Sequence, residues 1–243
     1  MDESLINSLI KKAVEITDKP YTKEEIIAIL QKDDEFEKPV AILSLDTLED
    51  KRAAEALISH LTGRDGRIRE ASAIKISEFL CDTKTAEFFS DEKSVRTILN
   101  GIMDINPNVG RAITDGIKNC PSLQTLLLPL LLERLSELIE KLKEMSKTPY
   151  FENKLNDKRN HAKNKIVFNL YWGLEALCNT NFNNSDNTIK EKILNILSFS
   201  SRYTDYTIRE KTAKILSKME NAPDDLLQKL KNDENFYVKN QLL

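Results

Sequence analysis

Asp65-Gly66-Arg67-Ile68-Arg69 places a loop carboxylate, a branched aliphatic residue and a basic residue at the opening of an amphipathic stretch. The phrase returns as Asp104 with Val109 and Arg111, as Asp205-Tyr206-Thr207-Ile208-Arg209, and as Asp233 with Val238-Lys239. One helical unit recurring along a chain marks a repeat architecture, in which units stack on their neighbours to bury a continuous core. The phrase opens the second helix of a pair each time, so the unit is a helix pair.

Composition agrees with this reading. Six Gly and seven Pro among 243 residues, against many Leu, Ile, Lys and Glu, favour helices over turn-dense sheets. A net charge of -3, with both signs spread along the chain, does not on its own imply a polyanion partner. Cys81, Cys120 and Cys178 are odd in number, far apart and without metal-ligand spacing, which predicts reduced helix-end thiols rather than disulfides or zinc. The start Met1-Asp2-Glu3-Ser4 is acidic where a signal peptide is basic. The apolar run from Leu126 to Leu132 is interrupted by Pro129 and too short to cross a bilayer. A cytoplasmic protein is expected, with no membrane contact, no metal and no cofactor.

Along the chain, a helix over residues 2–16 is apolar at Leu5, Ile6, Leu9, Ile10 and Val14 and ends before Pro20, a capping element over 1–20. Thr22 and Glu25 have capping-box spacing and open a helix that runs to about Gln31. Its partner holds Phe36, Val40, Ile42 and Leu43. Pairs follow over residues 50–61 with 67–80, 91–103 with 108–119 and 187–198 with 206–219, and a short pair begins at Pro223.

These features resemble the HEAT-repeat family of α-solenoids, whose antiparallel helix pairs carry an Asp in the turn and Val-Arg at the start of the second helix. Asp233 with Val238-Lys239 has that spacing, with Lys for Arg; the turns at Asp65 and Asp205 are shortened, and Gly110 separates Val109 from Arg111. The resemblance covers most of residues 21–243. It implies one all-α, right-handed α-solenoid over 1–243, of about six antiparallel helix pairs with one elongated pair. It also implies a structural ladder of Asp65, Arg69, Asp205 and Arg209, each guanidinium donating to the carboxylate and carbonyls of a neighbouring unit.

The elongated pair, residues 122–178, is where function is expected. Each helix has about 26 residues and so runs ~40 Å, which would carry its far half beyond the stack. Leu131, Leu135, Leu138, Leu142 and Met145 form an a/d seam that asks for a facing helix. The opposite arm offers Leu155 and Ala162 among Lys154, Lys158, Arg159, Lys163 and Lys165. Either Tyr150, Phe151 and the lysine stems close over the seam, or another protein docks on Leu135, Leu138, Leu142 and Met145 beside Lys158, Arg159 and Lys163. The basic run, with His161, also suits a nucleic acid, although Glu137, Glu140 and Glu144 on the facing arm are expected to neutralise it.

Second helices line the concave face of HEAT solenoids, and residues 66–80, 107–120, 152–178 and 206–219 carry +1, +1, +2 and +3. There is no HExxH, GxSxG or Gly-rich phosphate loop, and His60 and His161 have no nucleophile near them in sequence. The expected function is a non-enzymatic protein-binding scaffold that uses the concave helices and the projecting arm. Two resemblances within solenoids stand beside it. HEAT-like alkylpurine DNA glycosylases set aromatic residues and a carboxylate on a basic concave face, which maps onto Tyr171, Trp172 and Glu175, although the apolar surroundings of Trp172 suit a core residue better. Bilin lyases built from HEAT-like repeats share the architecture, but no residue set here would attach a tetrapyrrole. Phe236, Tyr237, Val238, Leu242 and Leu243 either leave an apolar end for self-association or pack on Leu226, Leu227 and Leu230.

Overall fold

The computed structural model describes residues 11, 14–17, 19–32, 36–146 and 154–243, with residues 154–157 and 159 described by backbone alone. The helices are α1 (Lys23–Gln31), α2 (Lys38–Leu43), α3 (Lys51–His60), α4 (Gly66–Phe79), α5 (Thr83–Ala86), α6 (Glu92–Ile102) and α7 (Pro107–Lys118). They continue as α8 (Pro121–Ser146), α9 (Lys154–Cys178), α10 (Asn187–Ser200), α11 (Tyr206–Leu216), α12 (Asp224–Lys231) and α13 (Phe236–Asn240), and no strand occurs among the described residues. The chain divides into two compact units, Met1–Gly101 with Asn106–Gly116, and Ile102–Ile105 with Ile117–Leu243.

In the N-terminal unit, α1 begins on a complete capping box. Thr22 Oγ1 accepts from the Glu25 N–H at 3.3 Å, and Glu25 Oε2 accepts from the Thr22 N–H at 2.9 Å. Asp50 and Asp65 cap α3 and α4 in the same way, each accepting two backbone N–H groups that the helix leaves without partners. The helices then close on Ile42, Leu57, Leu61, Ile76, Leu80 and Phe89, all at most 1 % exposed. Burial of each such side chain stabilises the unit by roughly 1.5–3 kcal/mol. At Gly116 a Cβ would lie 2.7 Å from Ser77 Cα, so α4 and α7 meet there at a distance only glycine permits.

The C-terminal unit is built on the long hairpin, α8 of 26 residues and α9 of 25. Pro129 lies inside α8 without ending it. It removes one backbone hydrogen bond, and Leu127, Leu131 and Leu132, all fully buried around it, hold the helix in place. α8 packs on α9 and α10, α9 on α11, and α11 on α13, so the second helices α9, α11 and α13 form one layer. Gly173 sits where α9 meets α8, and a Cβ there would fall 2.6 Å from Leu135 Cδ2.

Several expectations are corrected. Leu131 and Leu135 are fully buried, Leu138 is 5 % and Leu142 4 % exposed, and only Met145 is partly open. The seam is core, because packing of α8 on α9 and α10 removes its leucines from water. It is not an open docking strip. Tyr150, Phe151 and the Leu155 side chain lie outside the described residues. Most of the expected capping helix over 1–20 also lies outside them; residues 14–17 are helical, with Ile16 buried and Val14 exposed. The partner of α1 is only six residues long, and it leaves Phe36 and Leu43 exposed. An element absent from the sequence reading, α5 with the 3-10 turn Glu87–Phe89, follows α4, is capped by Asp82 and buries Phe89 completely. The three cysteines lie at helix ends, with Cys120 and Cys178 buried and Cys81 exposed.

Candidate functional site

The turns fix the second helices before any surface is formed. Asp65 accepts from the N–H of Arg67 at 2.7 Å and of Ile68 at 3.4 Å, and pairs with the Arg67 guanidinium at 2.8 Å. The Arg67 hydrogen bond, which outweighs partial burial, pulls the Asp65 carboxyl down to about 2. Asp205 accepts from the N–H of Thr207 at 2.9 Å and from its hydroxyl at 2.8 Å. Both aspartates are therefore helix caps. The arginines four residues on bind carbonyls of their own turn: Arg69 those of Gly63 and Arg64, Arg209 those of Tyr203 and Thr204, at 2.9–3.0 Å.

Arg209 also makes the rung expected of a ladder, reaching the turn of the following pair. Its Nε donates to Asp233 Oδ2 at 2.6 Å and its Nη2 to Asp233 Oδ1 at 3.0 Å, with both side chains at most 10 % exposed. This two-point pairing raises the Arg209 guanidinium and holds Asp233 below the usual carboxylate range. In the N-terminal unit Asn106 and Asn108 each donate to Glu70 at 3.0 Å. Asn106, rather than Asp104, stands at the start of α7 and accepts from the Asn108 N–H at 3.0 Å. Arg209 thus reaches the carboxylate of a neighbouring unit as the ladder expects, while the carbonyls it holds belong to its own turn and Asp65 and Asp205 act as helix caps.

On the second-helix layer of the C-terminal unit, Tyr171, Trp172 and Glu175 of α9 meet Lys211 and Lys214 of α11. Glu175 Oε2 lies 2.7 Å from Lys211 Nζ, and Oε1 3.0 Å from Lys214 Nζ. Burial pushes the Glu175 carboxyl up, but the hydrogen bonds and charges of Lys211 and Lys214 prevail and hold it low. Burial likewise works against the Lys211 ammonium, and Glu175 outweighs it and raises it. Lys211 also sits 4.9 Å from the centre of the Tyr171 ring, which packs edge-on against Trp172 at 5.4 Å. Trp172 is only 7 % exposed. A carboxylate held by two ammonium groups is not free to stabilise a cationic sugar, and a buried indole offers no face for a nucleotide. The cluster does not present the groups a glycosylase-like reaction would use.

Further along α9, His161, Lys158, Lys163 and Lys165 are exposed and make no ion pair among the described residues; the Arg159 side chain lies outside them. Among the described residues, Glu137 pairs with Arg134 and Glu140 with Lys143, along α8 itself. Beside the basic arm is a shallow pocket of about 300 Å³ lined by Ile105, His161, Asn164, Lys165, Phe168 and Asn169. Its helical members recur at i, i+3, i+4, i+7 and i+8, one face of α9. Ile105 is 75 % exposed, in the turn before α7.

Charge separates the two kinds of helix in this unit. The second helices α9, α11 and α13 carry nine Lys and Arg against three Asp and Glu, whereas the first helices α8, α10 and α12 carry seven of each. The sequence reading identified Tyr171, Trp172 and Glu175 but missed Lys211, Lys214, Ile105 and Phe168. The only local signals were an isoleucine inside the polar turn Asp104-Ile105-Asn106-Pro107 and two lysines three apart. Among the described residues, no group of three or more His, Cys, Asp and Glu side chains is arranged to hold a metal ion, and no helix is long and apolar enough to cross a membrane.

No family model and no curated protein sequence matches the chain. Among solved structures it is similar to a designed armadillo repeat protein, with 12% identity over 90% of this chain and 95% of that chain and a TM-score of 0.51. An engineered protein matches at 12% identity over 91% and 96%, with a TM-score of 0.54. A computationally designed armadillo repeat protein for modular peptide recognition matches at 13% identity over 90% and 95%, with a TM-score of 0.50. The fold is an all-α helical repeat solenoid. At such identities the likeness concerns the fold alone and does not separate HEAT from armadillo repeats.

Proposed function

We propose that the protein is a non-enzymatic, HEAT-like repeat scaffold that binds other proteins through an extended peptide segment on the second helices of its C-terminal unit. One observation carries the reading: the excess of basic over acidic residues falls entirely on α9, α11 and α13, the same layer that fixes Tyr171, Glu175, Lys211 and Lys214 in a partly open cluster. Repeats that contact only their neighbours produce long surfaces as their functional output. A solved neighbour of similar fold was designed for modular peptide recognition, and a similar use is assigned to this chain here.

The test is selection of random 12-residue peptides on the immobilised full chain, followed by titration of those recovered against wild type and Lys214→Ala. Lys214→Ala leaves Glu175 paired with Lys211, so the fold is retained. Recovery of binding peptides that Lys214→Ala weakens is expected. No enrichment over the bare support would reject the reading.

A further inference from the structure

The peptide-binding reading leaves open which peptides are bound, and the chemistry of α9 and α11 answers this. Ile105 is a large apolar side chain 75 % exposed, and with Phe168 it forms the apolar part of a 300 Å³ pocket. The remaining lining, His161, Asn164, Lys165 and Asn169, is polar or basic. A cavity of this size takes one aliphatic or aromatic side chain, whose burial there would also cover Ile105. Lys165, which lines it, makes no ion pair among the described residues. About seven residues further along α9, or ~10 Å at 1.5 Å per residue, Lys211 and Lys214 share the single carboxylate of Glu175, so that cluster keeps one positive charge in excess.

We propose that this face docks an acidic peptide segment, with one apolar side chain in the Ile105–Phe168 pocket and carboxylates on Lys165 and the Lys211–Lys214 pair. The inference rests on the peptide-binding reading above. An extended chain advances ~3.3 Å per residue, so the apolar anchor and the carboxylate reaching Lys211 and Lys214 are about three positions apart. Charge complementarity selects the occupant: the helices of this layer carry nine basic residues against three acidic ones in sequence, and Lys165 and Lys214 lie at the site itself. A nucleic acid suits it less well, because the pocket offers the single phenyl ring of Phe168 where such sites stack successive bases on several rings, and Trp172 is buried.

The experiment uses the full chain and the peptides recovered by random selection. Enrichment of Asp and Glu with an apolar residue about three positions away is expected. Binding should weaken by about tenfold in Lys165→Glu and again in Ile105→Asp, with unchanged helical circular dichroism, since both side chains are exposed. Recovery of neutral or basic peptides would overturn the acidic assignment and leave the scaffold reading standing, whereas recovery of none would remove both. Tighter binding of a single-stranded oligonucleotide than of the selected acidic peptides would make the surface a nucleic acid site and overturn the proposal.

Discussion

α8 and α9 are the same length to within one residue and face each other along one hairpin, yet they do opposite work. α8 places Leu131, Leu135, Leu138 and Leu142 in the core, and its charged side chains pair along its own length. α9 buries Leu170, Leu174 and Leu177 near its C-terminal end and exposes lysines at 158, 163 and 165. Regular apolar spacing marks the helix that holds the unit together, while the irregular, basic helix presents the surface. A sequence scan for docking strips is drawn to the regular leucines of the first, and takes the lysines of the second only as their border.

Substitutions that exchange these roles should have very unequal effects. Leu135→Asp would place an uncompensated carboxylate among fully buried side chains and should cost more than ~4 kcal/mol, read as loss of the cooperative thermal transition. Arg209→Ala would leave Asp233 buried without its two-point partner, and a loss of about 3 kcal/mol is expected in denaturant titration. Gly173→Val would press on Leu135 where the two long helices touch, costing about 2 kcal/mol. Lys165→Glu on exposed α9 should change stability by less than ~0.5 kcal/mol while weakening peptide binding.

Acid probes the N-terminal unit instead. The carboxyls of Asp50 and Asp65 stand at about 2 in the folded chain, with an ordinary value of 3.8. Their folded values are depressed, so their stabilisation is complete above about pH 4 and is lost as pH falls from there towards 2. The melting temperature should drop across that window, and Asp65→Asn, which keeps a capping oxygen, should flatten part of the drop.

Much of the fold was legible because its signals are local. Helical periodicity, the Thr22–Glu25 capping box and the lengths of the long pair all lie within a few turns of sequence. The Asp-x-x spacing at Asp65 and Asp205 was equally local, but it fits both a cap and a ladder, and only the geometry of the next turn separates them. The a/d pattern from Leu131 to Met145 states that a partner is needed without stating whose chain supplies it. The functional cluster was least legible, since Glu175 meets Lys211 and Lys214 across 36 and 39 residues, and Ile105 joins Phe168 across 63. No short motif encodes such meetings.

Hydrogen–deuterium exchange of the full chain, with and without a selected peptide at saturation, compares the two long helices in a single measurement. The account predicts added protection over residues 161–175 and 206–216 and none confined to 131–145. Protection appearing on 131–145 while 161–175 exchanges as before would contradict it, and would return the leucine seam to the role of docking site.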